Sequence, residues 1–476
     1  MSDNSKALGT DSVLTLLAKY CVPAVLAMLV QVLYTVVDSI FIGHFIGKDG
    51  LAAITLVFPL VVFSSGFGML VGIGACSCIS LLLGQRRLDE AEKTLGNAFS
   101  MIFLSSFIMT VTILILGTLF VNASTVSEPV RKMALTFLWI SIFSGILPSL
   151  MFGLNNIIRV QGNPQIAMGT IIFGFVLNSI LNPIFIAVFH WGVAGSALAT
   201  TVAQAITVIW VLYFFRSSRS LLQLRWRNLP LDWKICGPVL AIGLAPFLAQ
   251  SVNSLMGIIL NVQLERFGAE NALSVSGVIY RSAQIIFAVV LGIWQGAQPI
   301  VGYNYGAKQC DRVLKTWRLA ILISSIWCFI TTALILAFPL KTVEIFTKLT
   351  PEIREISVFA IRLSFLGCFM MGMQVCVSLY FQTIGKPKLS IFLSLSRQVI
   401  FMIPALLLLP MLCPMIGWPQ LNGVWCAFAV SDTLSFFLVL CFFIRETGNL
   451  KAGRITGGLG TIQVESDSWP IEEGQP

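Results

Sequence analysis

Apolar residues run in long blocks along this chain, and the blocks are broken by short clusters of charge, glycine and proline. A helix rises 1.5 Å per residue, so about 20 apolar residues cross the hydrocarbon of a bilayer. Twelve runs reach that length: residues 14–41, 51–83, 95–121, 133–158, 166–189, 193–215, 235–264, 271–301, 317–340, 356–384, 391–411 and 421–444. The predicted fold is an all-α polytopic membrane protein of twelve transmembrane helices. Several runs are longer than a straight crossing needs, which predicts tilt or bending; Pro23, Pro246 and the glycines Gly66, Gly68, Gly72 and Gly74 are the bend candidates.

Composition excludes whole classes of function. Of 476 residues 57% are hydrophobic and 11% charged, where a soluble domain carries about 25% charged residues. An ordinary cytosolic enzyme is excluded, because so few charges cannot cover a water-facing surface. The net charge of +9 does not point to nucleic acid, since no basic patch is interleaved with aromatics. It sorts by side instead. With the N-terminus inside, cytoplasmic segments hold 20 Lys and Arg (Arg159 among them) against 7 outside, while Arg281, Arg362 and Arg397 fall within the runs. That bias predicts both termini in the cytoplasm and a cell-membrane location. The opening stretch MSDNSKALGTDSVLTLLAKY carries acids and no cleavage-site pattern, so it reads as a retained first span. Eleven Cys lie mostly inside apolar runs and read as packing residues, and His44 and His190 make no metal site unaided. The tail after residue 445, Gly-rich and then acidic, is expected to be disordered.

The chain also repeats. Shifted by 222, GACSCISLLLGQRRLDEAEKT at 74–94 lies over GAQPIVGYNYGAKQCDRVLKT at 296–316, placing Gly74 on Gly296 and Gly84 on Gly306. A shift of 223 places Pro23 on Pro246, Gly162 on Gly385 and Pro164 on Pro387; a shift of 231 places Gly192 on Gly423. Six spans per repeat is an even number, so both halves cross in the same sense about an axis along the membrane normal. The chain divides into an N-lobe (1–215), a basic cytoplasmic linker (216–234) suited to anionic lipid, a C-lobe (235–445) and a tail (446–476). Two similar bundles that rock about a central cleft give the geometry of alternating access.

Polar residues inside the lipid carry the candidate chemistry. Only two acids, Asp38 and Asp432, lie within the spans. Gln31, Tyr34 and Asp38 form one helical stripe at i, i+3 and i+7, Asn178 and Asn182 repeat at i, i+4, and Asn155 and Thr200 lie in the fourth and sixth spans. A carboxylate among amide and hydroxyl oxygens suits a site that exchanges H⁺ or Na⁺ for a cationic compound, because burial penalises its charged form. Hydrogen bonds that merely glue helices are the alternative reading, for the asparagines above all. In the second half Gln250, Asn253 and Gln284 are pocket candidates, and Arg397 with Asp432 reads as a structural pair.

Six stretches, in order, resemble the MATE (multidrug and toxic compound extrusion) transporters over about residues 12–445, most closely the MepA- and DinF-like bacterial branch. They are VPAVLAMLVQVLYTVVDSIFIG (22–43), NNIIRVQGNP (155–164), NSILNPIFI (178–186), GVAGSALATT (192–201), GIWQGAQPIVGYNYGA (292–307) and FQTIGKPKLS (381–390). The resemblance implies two six-helix lobes and antiport of H⁺ or Na⁺ against lipophilic, often cationic drugs, with no cofactor. It places cation coupling on Asp38, Asn178, Asn182 and Thr200, where Na⁺ is the metal to consider, and the pocket on Gln31, Tyr34 and Asn155 beside them. The chain departs from the family at Asn182, where the pattern NxxLDP has an acid, and in the seventh span, which offers Asn253 and Asn261 in place of a sodium-site carboxylate. Asp38 then carries the titration alone, which favours H⁺. A monomer is expected, with membrane lipid and small molecules as its partners. The alternative function is a flippase for amphipathic lipid, which calls for a cleft rich in Arg.

Overall fold

Lipid offers backbone groups no hydrogen-bonding partner, so a spanning segment must satisfy them within itself. The computed structural model, which describes residues 3–124, 126–346 and 350–455, is helical accordingly. In the N-lobe a short helix α1 (Asp3–Thr10) precedes α2 (Val13–Phe45), α3 (Lys48–Gly84), α4 (Leu88–Ala123), α5 (Glu128–Phe143), α6 (Ile146–Val160), α7 (Pro164–Pro183) and α8 (Gly192–Arg216). The C-lobe holds α9 (Trp233–Gly306), α10 (Cys310–Ala337), α11 (Pro339–Phe346), α12 (Pro351–Phe365), α13 (Met371–Thr383), α14 (Pro387–Leu395), α15 (Ile403–Leu412) and α16 (Gln420–Lys451). Among the described residues eleven segments are long and apolar enough to cross a membrane, and α5 with α6, bent by 43°, makes the twelfth. Of the tail, α16 extends to Lys451, and residues 456–476 lie outside the described residues.

Three departures from the pattern have local causes. The fourth span breaks at Ser144 and Gly145, where the Ser144 hydroxyl turns back onto the Ser141 carbonyl. The fifth and eleventh spans each widen into a π-helical stretch, at Ile184–Val188 and Ser396–Met402, next to Pro183 and Pro404, whose missing N–H groups cannot serve the ordinary ladder. Helical bonding runs unbroken from Trp233 to Gly306, yet it holds two spans, Trp233–Phe267 and Ala272–Gly306. The run must turn back on itself, because Val239 packs on Gly74 and Tyr303 on Gly84, sites only about 15 Å apart along α3. Helices α2 and α9 continue through Pro23 and Pro246.

The lobes meet along a seam of glycines; α3 runs helical through the bend candidates Gly66, Gly68, Gly72 and Gly74, and Gly74 serves close backbone approach instead. A Cβ on Gly84 would strike the Tyr303 carbonyl, and one on its repeat mate Gly306 would strike Leu81. Gly296 packs on the Cys21 backbone of α2, just as Gly74 packs on Val239 of α9, so the second span of each lobe lies on the first span of the other. Along this end, which carries the Lys/Arg-rich loops, one buried core runs through both lobes, from Leu16 and Ile79 to Val301 and Tyr380. Towards the opposite end the core divides into a C-lobe cluster around Ile361 and Trp425 and an N-lobe cluster around Val57 and Leu138. The two lobes thus share one core at the charged end and have separate buried clusters towards the other.

Candidate functional site

Three helices of the N-lobe each supply a pair of polar residues one turn apart: Tyr34 and Asp38 on α2, Asn178 and Asn182 on α7, Ser196 and Thr200 on α8. Residues at i and i+4 share a helix face, so the six side chains stack in two layers. In one, Asp38 Oδ1 accepts from Asn182 Nδ2 at 2.9 Å and from the Ser196 hydroxyl at 3.4 Å. In the other, Thr200 Oγ1 accepts from Asn178 Nδ2 at 3.0 Å and from the Tyr34 hydroxyl at 3.3 Å. Asn182 Nδ2 joins the layers by donating to Asn178 Oδ1 at 3.0 Å. The result is a continuous chain of hydrogen bonds from the carboxylate to the tyrosine. Two acceptors remain open in it: among the described residues no donor reaches Asp38 Oδ2, and Asn182 Oδ1 is buried without a partner.

Tyr34 is also part of the wall of a cavity of about 310 Å³. Gln31 and Asn155 line it too, together with Met28, Phe152, Phe175 and Arg159. Asn155 holds α6 to α7 through its Nδ2 bond to the Ala167 carbonyl, 2.9 Å. Almost the whole lining comes from the N-lobe, and Gln295 closes it from the C-lobe. All four cation-coupling candidates are thus brought together, with Gln31, Tyr34 and Asn155 on the cavity beside them. Gln250, Asn253 and Gln284 are not in that lining; Asn253 accepts from Gln398 at 2.8 Å, and Gln284 donates to the Tyr280 hydroxyl at 3.4 Å.

Sequence reasoning missed two residues. Ser196 touches Asp38, and its signal was the i−4 spacing from Thr200. Arg159, counted as a loop cation, is 3% exposed and lies at the bottom of α6 on the cavity. In the C-lobe the Arg397 Nε sits 2.6 Å from Asp432 Oδ1, with Gly367 leaving room for the acid, as Cβ there would come 2.6 Å from the Asp432 Cβ. Among the described residues no cluster of three His, Cys, Asp or Glu could hold a metal ion, so any bound cation would rest on Asp38 and neutral oxygens.

Twelve spans in two repeated lobes, with an N-lobe cavity that one C-lobe residue closes and that hydrogen bonds tie to Asp38, fit a polytopic membrane transporter. The MatE family model matches residues 23–184 and again residues 246–407, and the offset of 223 is that of Pro23 from Pro246. The chain belongs to the MatE family of multidrug efflux transporters. It is similar to the multidrug export protein MepA of Staphylococcus haemolyticus, 23% identical over 434 residues, covering 90% of this chain and 93% of that one. It is 24% identical over 448 residues to MepA of Staphylococcus aureus, with 92% and 96% covered. Among solved structures it resembles the MATE multidrug transporter DinF-BH in complex with a rhodamine dye, 35% identical with TM-score 0.85, over 94% of this chain and 98% of that one. It also superposes on a multidrug resistance MATE family transporter in an outward-facing conformation, TM-score 0.87 at 21% identity, over 95% and 99% of the two chains.

Proposed function

We propose that this transporter exports drug-like amphiphiles across the cell membrane in exchange for H⁺, with Asp38 as the proton-binding group. The observation that carries the reading is the hydrogen-bond chain from Asp38 through Asn182, Asn178 and Thr200 to Tyr34, because it ties the carboxylate to the wall of the cavity. A proton on Asp38 removes the charge that Asn182 and Ser196 donate to, which weakens those two bonds and loosens the chain's hold on Tyr34. Coupling then follows from differential affinity: the protonated state binds the compound less tightly and releases it.

H⁺ is favoured over Na⁺ by how the oxygens are used. The Asn178 and Thr200 oxygens already accept bonds within the chain, and Asn182 and Ser196 turn donors towards Asp38. Two free acceptors, Asp38 Oδ2 and Asn182 Oδ1, suffice to hold one proton, whereas a sodium ion would have to break the chain to gather ligands. The Lys and Arg bias makes the charged end, where the lobes share one core, the cytoplasmic one, with both termini inside. The protein acts as a monomer on this reading, since the cavity and the hydrogen-bond chain are built from one chain. A rhodamine-type dye is the natural first substrate, given the DinF-BH relative. In vesicles holding the purified protein, dye movement should follow an imposed pH gradient in sodium-free buffer. Movement driven only by a sodium gradient would overturn the choice of ion.

A further inference from the structure

The cavity carries a charge that drug export alone does not explain. Among the described residues Arg159 is its one charged lining residue and is 3% exposed. Its Nη1 donates to Gln295 Oε1 at 2.6 Å and to Asn156 Oδ1 at 3.3 Å, and its Nη2 to Asn155 Oδ1 at 3.5 Å. All three acceptors are neutral amides. Among the described residues it enters no ion pair, and Asp38 lies outside the lining. Amide dipoles satisfy hydrogen bonds but leave the net charge in place, and a buried cation without a carboxylate is costly. The cavity therefore presents a positive charge in a low-dielectric setting, where it opposes a cation and attracts an anion.

The rest of the lining fits an aromatic body. Phe152 and Phe175 face it with Met28, Met69 and Met151, side chains that adapt to flat rings of varied outline. We propose that the cavity takes amphiphiles that bear a carboxylate, the anionic group on Arg159 and the apolar part against these side chains. The proposal rests on reading the cavity as the substrate site and names its substrate class. The guanidinium fork accepts a carboxylate in bidentate fashion, and the carboxylate takes the place of Gln295. Gln295 belongs to the other lobe, so the ligand replaces a hydrogen bond between lobes.

The test uses one xanthene dye in two forms, the cationic ethyl ester and its free acid, which is a zwitterion with the same rings. Binding to the purified full chain is read by fluorescence anisotropy, and thermal melting of each preparation establishes that it is folded. Wild-type protein should bind the acid about tenfold or more tighter than the ester, the range of a charge-assisted hydrogen bond. Arg159→Lys should keep a preference for the acid, whereas Arg159→Gln should abolish it and bind the ester at least as well as wild type. An ester preference in the wild type, which needs no variant, would overturn the proposal, as would an unchanged preference in Arg159→Gln. Displacement of the bound acid by naphthoate assigns an aromatic acid and displacement by oleate a fatty acid; displacement by neither overturns the proposal. Pumping of the ester is followed in the same vesicles. If the ester is exported but the acid is not preferred, the proposal fails and the transport reading stands. If the acid binds in an Arg159-dependent way and neither dye is exported, the binding site stands and the transport reading fails.

Discussion

Thr200 is the hub of the site at residue scale, since its hydroxyl accepts from both Asn178 and Tyr34. Thr200→Val keeps the shape and removes the acceptor, which leaves two donors unmatched at a cost of about 1–3 kcal/mol. On the proposed coupling protons compete with the dye, so affinity for wild-type protein should fall as pH is lowered; in Thr200→Val that dependence should flatten while binding at high pH survives. Anisotropy titrations at two pH values decide it, and an unchanged pH dependence would remove the chain from the coupling. The Arg397 and Asp432 pair makes the opposite prediction. Asp432 is 3% exposed, so Arg397→Leu strands a buried charge at a cost of about 3–5 kcal/mol. A large fall in melting temperature is expected, recovered by Arg397→Leu with Asp432→Asn, with pH-driven transport retained in the double variant.

Asp38 was legible because an acid inside an apolar run is conspicuous, and its asparagine partners because i, i+4 spacing marks a shared face. Ser196 was not: a serine among small residues looks like ordinary helix packing, and only the approach of α8 to α2 gives it a role. Arg159 was hidden for another reason. It falls at the end of an apolar run, where the Lys and Arg count places it in a loop, and only the fold sets it among Asn155, Asn156 and Gln295.

Elements carry the next prediction. Spans were readable from hydropathy, but the glycine seam, the 43° break between α5 and α6 and the two π-helical stretches were not, since glycine, proline and small residues mark bends and close packing alike. The seam itself depends on glycine where backbones touch. Gly296 leaves no space for a side chain, because its Cβ would come 2.5 Å from Cys21 Cα. Gly296→Leu should push α2 from α9 and open the charged end. Cys21, buried in the seam at 8% exposure, reports it directly: maleimide labelling of the Cys21 peptide, followed by mass spectrometry, should become fast in Gly296→Leu and stay slow in wild type. Equal slow labelling in both would show that the seam tolerates the change.

Across the whole molecule, two repeated lobes share one core at the charged end and have separate buried clusters towards the other, and among the described residues Asp38, the intramembrane acid outside any ion pair, lies in the N-lobe. Asp432, the second intramembrane acid, is paired with Arg397, whereas Asp38 meets only neutral donors, so the repeat has kept its architecture while the surroundings of its two acids have diverged. The central claim is that this one group converts a proton gradient into compound export. Its most direct test is dye transport driven by a pH gradient in vesicles that hold wild-type protein or Asp38→Asn, with dye binding measured on the same samples. Asp38→Asn should still bind dye but no longer move it in response to the gradient. Gradient-driven transport at the wild-type rate would contradict the claim.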